Sequence, residues 1–526
     1  LIRAEHGVVR ILADRAEVLT LPTGPHNLSA YSMLLILDGH GELNLQLFRA
    51  LKRAVMDGRL AAGSRLPPTR TLATELGLSR NTVVAAYERL RAEHLAVARV
   101  GSGTFVASID VPRRPGGAPR ERIDAPSAYA ARLRSLPPLP LPAGRAHLPI
   151  HLQYGEPLTH PGLYAAWARA LAQAAVRTPP GYPPPQGLPE LRTQIAAYLG
   201  RRRGVVCTAE DIVVVNGTQQ AFALLARVLL DEGDRVAIEE PGYALAKHCF
   251  MAHGARLVPV AVGAAGLDAR CLPDGPLKLI AVTPSHQFPL GVSMSLPLRS
   301  ALLEHAARVG AWIAEDDYDG EFGFEGRVLP ALRSLDDGDR VIYIGSFSKT
   351  MLPSLRLGYI VCPRALRKDI VLAKRLVDVA TPAIEQQALA DFMARGAFDR
   401  HLRRSAVELR RRREALLDGL ERHAAGRVVV QDSGAGMHLV ARLPGYDARA
   451  LQALIDAAAE RGLGLYSLAP HFETPPTEQS LLVGFASASV AQIRKATRLI
   501  GECLDRVAAQ RAKATPRPGL RGRRAP

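Results

Sequence analysis

Nine prolines fall within the 44 residues from 107 to 150, mixed with glycine and arginine and without any apolar period. Proline has no backbone N–H and a fixed φ, so neither a helix nor a strand is expected to persist there, and the segment reads as an extended linker. A chain of 526 residues interrupted in this way has to fold as at least two bodies, a small one before the break and a large one after it. Hydrophobic residues make up 48% and charged residues 22%, so both bodies can bury a core and a largely disordered chain is excluded.

The net charge of +17 points to a polyanionic partner, and its distribution says where that partner binds. Residues 44–106 hold 10 Lys and Arg against 4 Asp and Glu, whereas the balance over residues 151–507 is only +3. The linker carries +4, and residues 508–526 carry 6 basic residues and no acidic one. No uncharged apolar run reaches the ~18 to 20 residues that cross a bilayer, and residues 1–20 lack the order of a secretory signal, so a cytoplasmic protein without membrane contact is expected. Cys207, Cys249, Cys271, Cys362 and Cys503 are far apart with no C-x-x-C pair, which suggests reduced thiols and no metal site.

Before the linker, Leu43, Leu47, Leu51 and Val55 recur at helical spacing, with Phe48 and Ala54 beside them. Residues 1–40 read as an N-terminal extension of the small body, and Met33, which precedes the helical pattern, is a candidate start. In the run LPPTRTLATELGLSRNTVVAAYERL, Thr69 can cap one short helix, Gly77 permits a tight turn, and Ser79 can cap a second helix. Val83, Tyr87 and Leu90 share the inner face of that second helix, while Arg80, Asn81 and Glu88 face outward. Two such helices make a helix-turn-helix whose second member enters a major groove with its first residues. Val97 to Val106, broken by Gly101-Ser102-Gly103, makes a hairpin wing.

These residues, with GSGTFV after them, resemble the winged helix-turn-helix of GntR-family transcription regulators. The resemblance implies that Arg70, Arg80, Asn81 and Thr82 contact double-stranded operator DNA, with the wing near Gly103 in the minor groove. His94 stands where the family usually has glycine, a position histidine tolerates in a left-handed conformation.

After the linker, short apolar runs (212–215, 235–239, 279–283, 312–314, 341–344, 357–361) alternate with helical segments, which predicts an α/β body with a largely parallel sheet. From about Ala388 the pattern turns helical and basic, and a smaller α+β end follows with runs at 427–430, 437–442 and 481–486. Four stretches of the body carry chemistry. VVVNGTQQAF opens a helix at a Gly217-Thr218-Gln219 turn, a ready phosphate site. AWIAEDDYDGEF sets Glu315, Asp316, Asp317 and Tyr318 at a strand end, where open α/β sheets bind ligands. EEPGYALA puts Tyr243 where it could stack on a planar ring, and YIGSFSKTMLPSLRLGYIV sets Lys349 between small hydroxyl residues with Arg356 seven residues on.

In this order and spacing the stretches resemble fold-type-I pyridoxal phosphate enzymes of the aminotransferase class. The resemblance implies that Lys349 forms the internal aldimine, that Asp316 bonds the pyridine nitrogen and Tyr318 the phenolic oxygen, and that Tyr243 stacks on the ring. Gly217, Thr218, Gln219, Ser346, Ser348 and Arg356 would hold the phosphate, and Tyr182 in YPPPQG would reach the phosphate of a neighbouring subunit.

Together the two bodies, with PSHQFPLGVSMSLPLR at 284–299, resemble the MocR subfamily of GntR regulators. The expected organisation is a DNA-binding domain at 41–107, a linker at 108–150, an aminotransferase-like effector and dimerisation domain at 151–507 and a disordered basic tail at 508–526. What the resemblance implies is a head-to-tail, domain-swapped homodimer that senses pyridoxal phosphate or an amine or amino acid through Lys349 and switches transcription. Two other readings are a working aminotransferase with a DNA-binding arm, and a body kept only for dimerisation. Against the first, aminotransferases usually bind the substrate α-carboxylate with an arginine near the last strand, and between Arg461 and Arg494 this chain has neither Arg nor Lys. Against the second stands the retained Lys349.

Overall fold

A computed structural model describes residues 35, 37–108, 126–139, 147–324, 330–431 and 434–514. The chain divides into two compact units, Leu1–Ile123 and Asp124–Pro526. Met33, most of the linker and the end of the basic tail lie outside the described residues.

The first unit contains α1 (Leu43–Met56), α2 (Thr69–Leu76) and α3 (Arg80–Ala92), followed by an antiparallel hairpin of β1 (Ala96–Arg99) and β2 (Gly103–Val106). Its core is most of the apolar set anticipated from periodicity: Leu47, Leu51 and Val55 of α1, Leu72 of α2, and Val83, Tyr87 and Leu90 of α3 are all buried, whereas Leu43, at the first position of α1, is exposed. Gly77 ends α2 in the left-handed region at φ 64°, and the Ser79 side chain accepts a hydrogen bond from the Thr82 amide at 3.1 Å to cap α3. The cap expected of Thr69 is not made. Pro68 takes the N-cap position and Thr69 is the first helical residue, because the proline already fixes an extended φ before the helix. His94 adopts φ 59°, the left-handed conformation its position requires.

The second unit begins with α4 (Ala128–Ser135), inside the segment expected to hold no helix. The stretch between Pro126 and Pro137 is free of proline, and Ser127 caps it by accepting from the Ala130 amide. There follow β3 (Ile150–His151), α5 (Pro161–Arg177), α6 (Pro189–Arg203), β4 (Ile212–Val215), α7 (Thr218–Leu229), β5 (Arg235–Glu240), α8 (Ala244–Ala252), β6 (Arg256–Gly263) and β7 (Gly266–Leu267). The central part continues with β8 (Leu279–Val282), α9 (Leu296–Val309), β9 (Trp312–Asp317), β10 (Val341–Ser346), β11 (Gly358–Val361), α10 (Arg367–Asp378), α11 (Ala383–Ala394) and α12 (Ala397–Ala424). The end comprises β12 (Val429–Gln431), β13 (His438–Arg442), α13 (Ala448–Ala459), β14 (Leu463–Gly464), β15 (Ser480–Gly484) and α14 (Val490–Ala514).

Eight strands form one sheet in the order β4-β11-β10-β9-β8-β5-β6-β7. The run from β10 through β6 is parallel, and β11 and β7 are antiparallel to their neighbours. Strand alternation splits the apolar residues between two faces. Val213, Val215, Ile342, Ile344 and Ile360 pack under α7 and α8. Ile212, Val214, Tyr343 and Val361 join α6, α11 and α12 on the other side, and Ile280, Ile313 and Val341 join α9. The smaller sheet, β12-β13-β15, packs into the same core through α13 and α14. Helix α14 continues past residue 507 to Ala514, where disorder was expected. No proline intervenes before Pro516, and Arg511 lies over the Tyr446 ring and donates to the Gly445 carbonyl. Among the described residues no helix is long and apolar enough to cross a membrane.

Candidate functional site

The parallel strands end on one side of the sheet, and a cavity of about 290 Å³ opens there. Strand β9 extends to Asp317, three residues beyond the apolar run, so the acidic residues belong to the strand and alternate across it. Glu315 and Asp317 turn toward the sheet's interior side. Glu315 accepts from the amides of Leu332 and Arg333, and Asp317 accepts from Arg203 Nε and the Tyr343 hydroxyl, both at 2.7 Å. Asp316 is left on the cavity side. One of its carboxylate oxygens is buried without a hydrogen-bond partner, and burial together with the charges of Asp317 and Asp319 pushes its pKa up to about 8.

Lys349 follows β10 and lines the same cavity, donating to the Gly155 carbonyl oxygen. Burial lowers its pKa from the usual lysine value, opposed by the charges of Asp319 and Asp316. A lysine held there is more readily neutral, and so more nucleophilic, than a solvated one. Thr218, Tyr243, Tyr318, Ser346, Ser348 and Arg356 line the cavity with it. Ser346 Oγ accepts from the Ser348 amide at 3.1 Å.

Gly217 stands at φ 87° as the N-cap of α7, and a Cβ there would come 2.6 Å from Arg356 Nη2. The guanidinium therefore closes over a glycine, beside a helix start whose leading amides have no carbonyl partner within the helix. Arg356 itself holds a left-handed φ of 49° and donates to the Asn216 carbonyl. A strained non-glycine residue of this kind is characteristic of a ligand clamp. Tyr243 lies edge-on to Phe288, its phenol pushed upward by burial.

Two of the expected residues are placed elsewhere. The Gln219 side chain donates to the Leu245 carbonyl and does not line the cavity, although its backbone sits in the first turn of α7. Tyr182 is 91% exposed and away from this chain's cavity.

Other lining residues were not anticipated. Tyr154 and Gly155 come from the loop after β3, and Met437 and His438 from the start of β13. His286 and Asp319 form a buried pair at 3.0 Å, and the same imidazole nitrogen lies 3.0 Å from the Tyr318 hydroxyl. The motif PSHQFPLGV held the signal for His286, but its partner is 33 residues away in sequence.

On the first unit, Arg70, Arg80 and Asn81 are exposed and Thr82 is half-buried at the start of α3. Gly103, in the hairpin, holds φ 109°, and a Cβ there would meet Arg65 Nε at 3.0 Å.

Residues 43–106 match the family described as bacterial regulatory proteins, gntR family, and residues 149–500 match aminotransferase class I and II. The chain is 38% identical to the probable rhizopine catabolism regulatory protein MocR of Rhizobium meliloti, over 88% of this chain and 94% of that protein. It is 32% identical to the HTH-type pyridoxine biosynthesis transcriptional regulator PdxR of Corynebacterium glutamicum, over 84% and 91%. Among solved structures it is similar to α-aminoadipate aminotransferase LysN of Thermus thermophilus, complexed with N-(5'-phosphopyridoxyl)-L-leucine. That likeness has a TM-score of 0.62 at 29% identity and covers 69% of this chain and 93% of that one. The enzyme spans the body alone, whereas the regulators match both parts. With a GntR helix-turn-helix joined to a fold-type-I body, the chain belongs to the MocR subfamily of GntR transcription regulators and is a regulator rather than an enzyme.

Proposed function

We propose that this regulator binds pyridoxal phosphate in the cavity around Lys349 and that the occupancy of this site, by the cofactor itself or by an amine or amino acid joining it, sets the affinity for operator DNA. The observation that carries the reading is the pairing of a half-buried lysine with a buried carboxyl group, Asp316, one of whose oxygens has no partner, across one cavity. That carboxyl suits a protonated ring nitrogen. The Gly217 cradle under Arg356, with Thr218, Ser346 and Ser348, suits a phosphate. Tyr318 would face the phenolic oxygen, Tyr243 the ring, and Gln219 would contribute through its backbone. When bound, the cofactor supplies an aldehyde that condenses reversibly with primary amines and a ring that withdraws electrons.

The remaining assignments follow the same reading. Arg70, Arg80, Asn81 and Thr82 contact operator DNA and the wing at Gly103 enters the minor groove. The protein acts in the cytoplasm as a head-to-tail homodimer in which Tyr182 of the partner subunit reaches the phosphate, which gives its exposure in a single chain a purpose. Lys349 is the attachment point, and its hydrogen bond to Gly155 is the contact that a change in occupancy would alter first.

The test is a titration of pyridoxal phosphate, with and without candidate amines, against promoter binding by the full-length protein. A shift of about 5- to 150-fold in DNA affinity is expected, lost in Lys349→Ala while basal DNA binding persists. Unchanged affinity throughout would overturn the proposal.

A further inference from the structure

We infer that the small molecule accepted beside the cofactor is a primary amine with no carboxylate on the carbon that bears its amino group. This rests on the reading of the cavity given above and deepens it. An α-amino acid places an anion one carbon from its reacting nitrogen. A buried anion needs a cation or several donors, and a bidentate guanidinium is the best fit.

The side of the cavity that backs onto the smaller sheet is apolar in this chain. The last strand of the smaller sheet, β15, carries Leu482 in register with Val440 of β13. Leu482 is fully buried and packs with Val440 and Leu468 against Tyr154, Phe288 and Phe472. Tyr154 and Phe288 are themselves part of the cavity wall. That wall therefore has hydrocarbon behind it and offers no charge to a carboxylate.

Nothing else among the described residues supplies that charge. The cations lining the cavity are Lys349 and Arg356. The first is the attachment point, and the second lies over Gly217 and donates to the Asn216 carbonyl. His438 is held neutral by burial and by His286, and His471, behind Tyr154, is pushed down to about 4 by burial. Lys247, whose charge reaches His471, is committed to Glu240 and Glu473. Asp319 adds a negative group to the lining. An amine with an aliphatic or aromatic body meets none of these costs and packs on Tyr154, Phe288 and Met437.

The experiment uses ligand pairs that differ only in the carboxylate: 2-phenylethylamine against phenylalanine, and butylamine against 2-aminopentanoic acid. Full-length protein loaded with pyridoxal phosphate is titrated with each, followed by the visible absorption band and by calorimetry. The amine of each pair should saturate the response at a concentration lower by about tenfold or more, since its rival must bury an unpaired charge. Leu482→Arg should narrow or reverse that ratio, and Leu482→Met should preserve it.

Equal or tighter binding of the amino acids, or silence toward both amines, overturns the inference even if the variants fail to fold, because the wild-type comparison decides it. If pyridoxal phosphate produces no visible band at all, the reading of the cavity falls and takes this inference with it. A band accompanied by a preference for the amino acids sinks only the inference.

Discussion

Asp316 is a carboxyl group that the fold holds near neutrality. Burial and the neighbouring charges of Asp317 and Asp319 raise its pKa from 3.8 to about 8, so the folded chain keeps a proton there that the unfolded chain has released. An acid shifted upward in this way favours the folded state fully below its unfolded pKa, and that contribution is lost as the pH rises through the folded value. Relative to a variant without this group, cofactor-free protein should therefore lose melting temperature between about pH 4 and pH 8. Asp316→Asn cannot ionise and should lose less across the same window, as thermal unfolding of the two proteins in parallel would show. Glu239, raised by burial to about 7, acts with the same sign, and His438 and His471, lowered by burial, act with the opposite one, so the prediction is the difference between the two proteins. An equal slope in the two proteins would mean that Asp316 is solvated.

At the scale of elements, α3 depends on a local device. Ser79 accepts from the Thr82 amide and contacts the Thr82 hydroxyl at 2.8 Å, so Ser79→Ala should cost the DNA-binding unit about 1 kcal/mol, measurable by its thermal unfolding. Devices of this kind were legible in the sequence because cap and partner are three residues apart, and Gly77 was legible for the same reason. The strands β4, β5, β8, β9, β10 and β11 were legible as apolar runs because both faces of the sheet are covered. Strand β6 was not, since it lies near the sheet edge, is largely exposed or half-buried and has Pro259 in its middle. Helix α4 was obscured by the prolines on either side. What holds it is tertiary: Arg132 donates to the Ala252 carbonyl at the end of α8, and Tyr129 meets His253 edge-on. The catalytic-looking lysine became legible through resemblance, because an isolated lysine after a strand has no local signature. His286, Asp319 and Leu482 gain meaning only from neighbours far away in sequence.

At the scale of the whole molecule, charge is segregated. The segment 44–106 holds 10 basic and 4 acidic residues, while the much longer body 151–507 is close to neutral. Counterion release ties the salt dependence of DNA binding to the number of phosphates neutralised, so that dependence should originate in the small unit. Raising salt from about 50 to 200 mM should weaken operator binding by on the order of a hundredfold or more. Arg70→Ala should weaken binding to all sequences alike and reduce the logarithmic salt slope by about one per DNA-binding unit. Lys349→Ala, in the body, should abolish the response to the cofactor and leave the slope unchanged, because a coupling free energy shifts the affinity without altering how many phosphates are contacted. Fluorescence anisotropy on operator DNA at several salt concentrations separates the two outcomes. A slope that changed with Lys349→Ala would mean that cavity occupancy alters the DNA footprint itself.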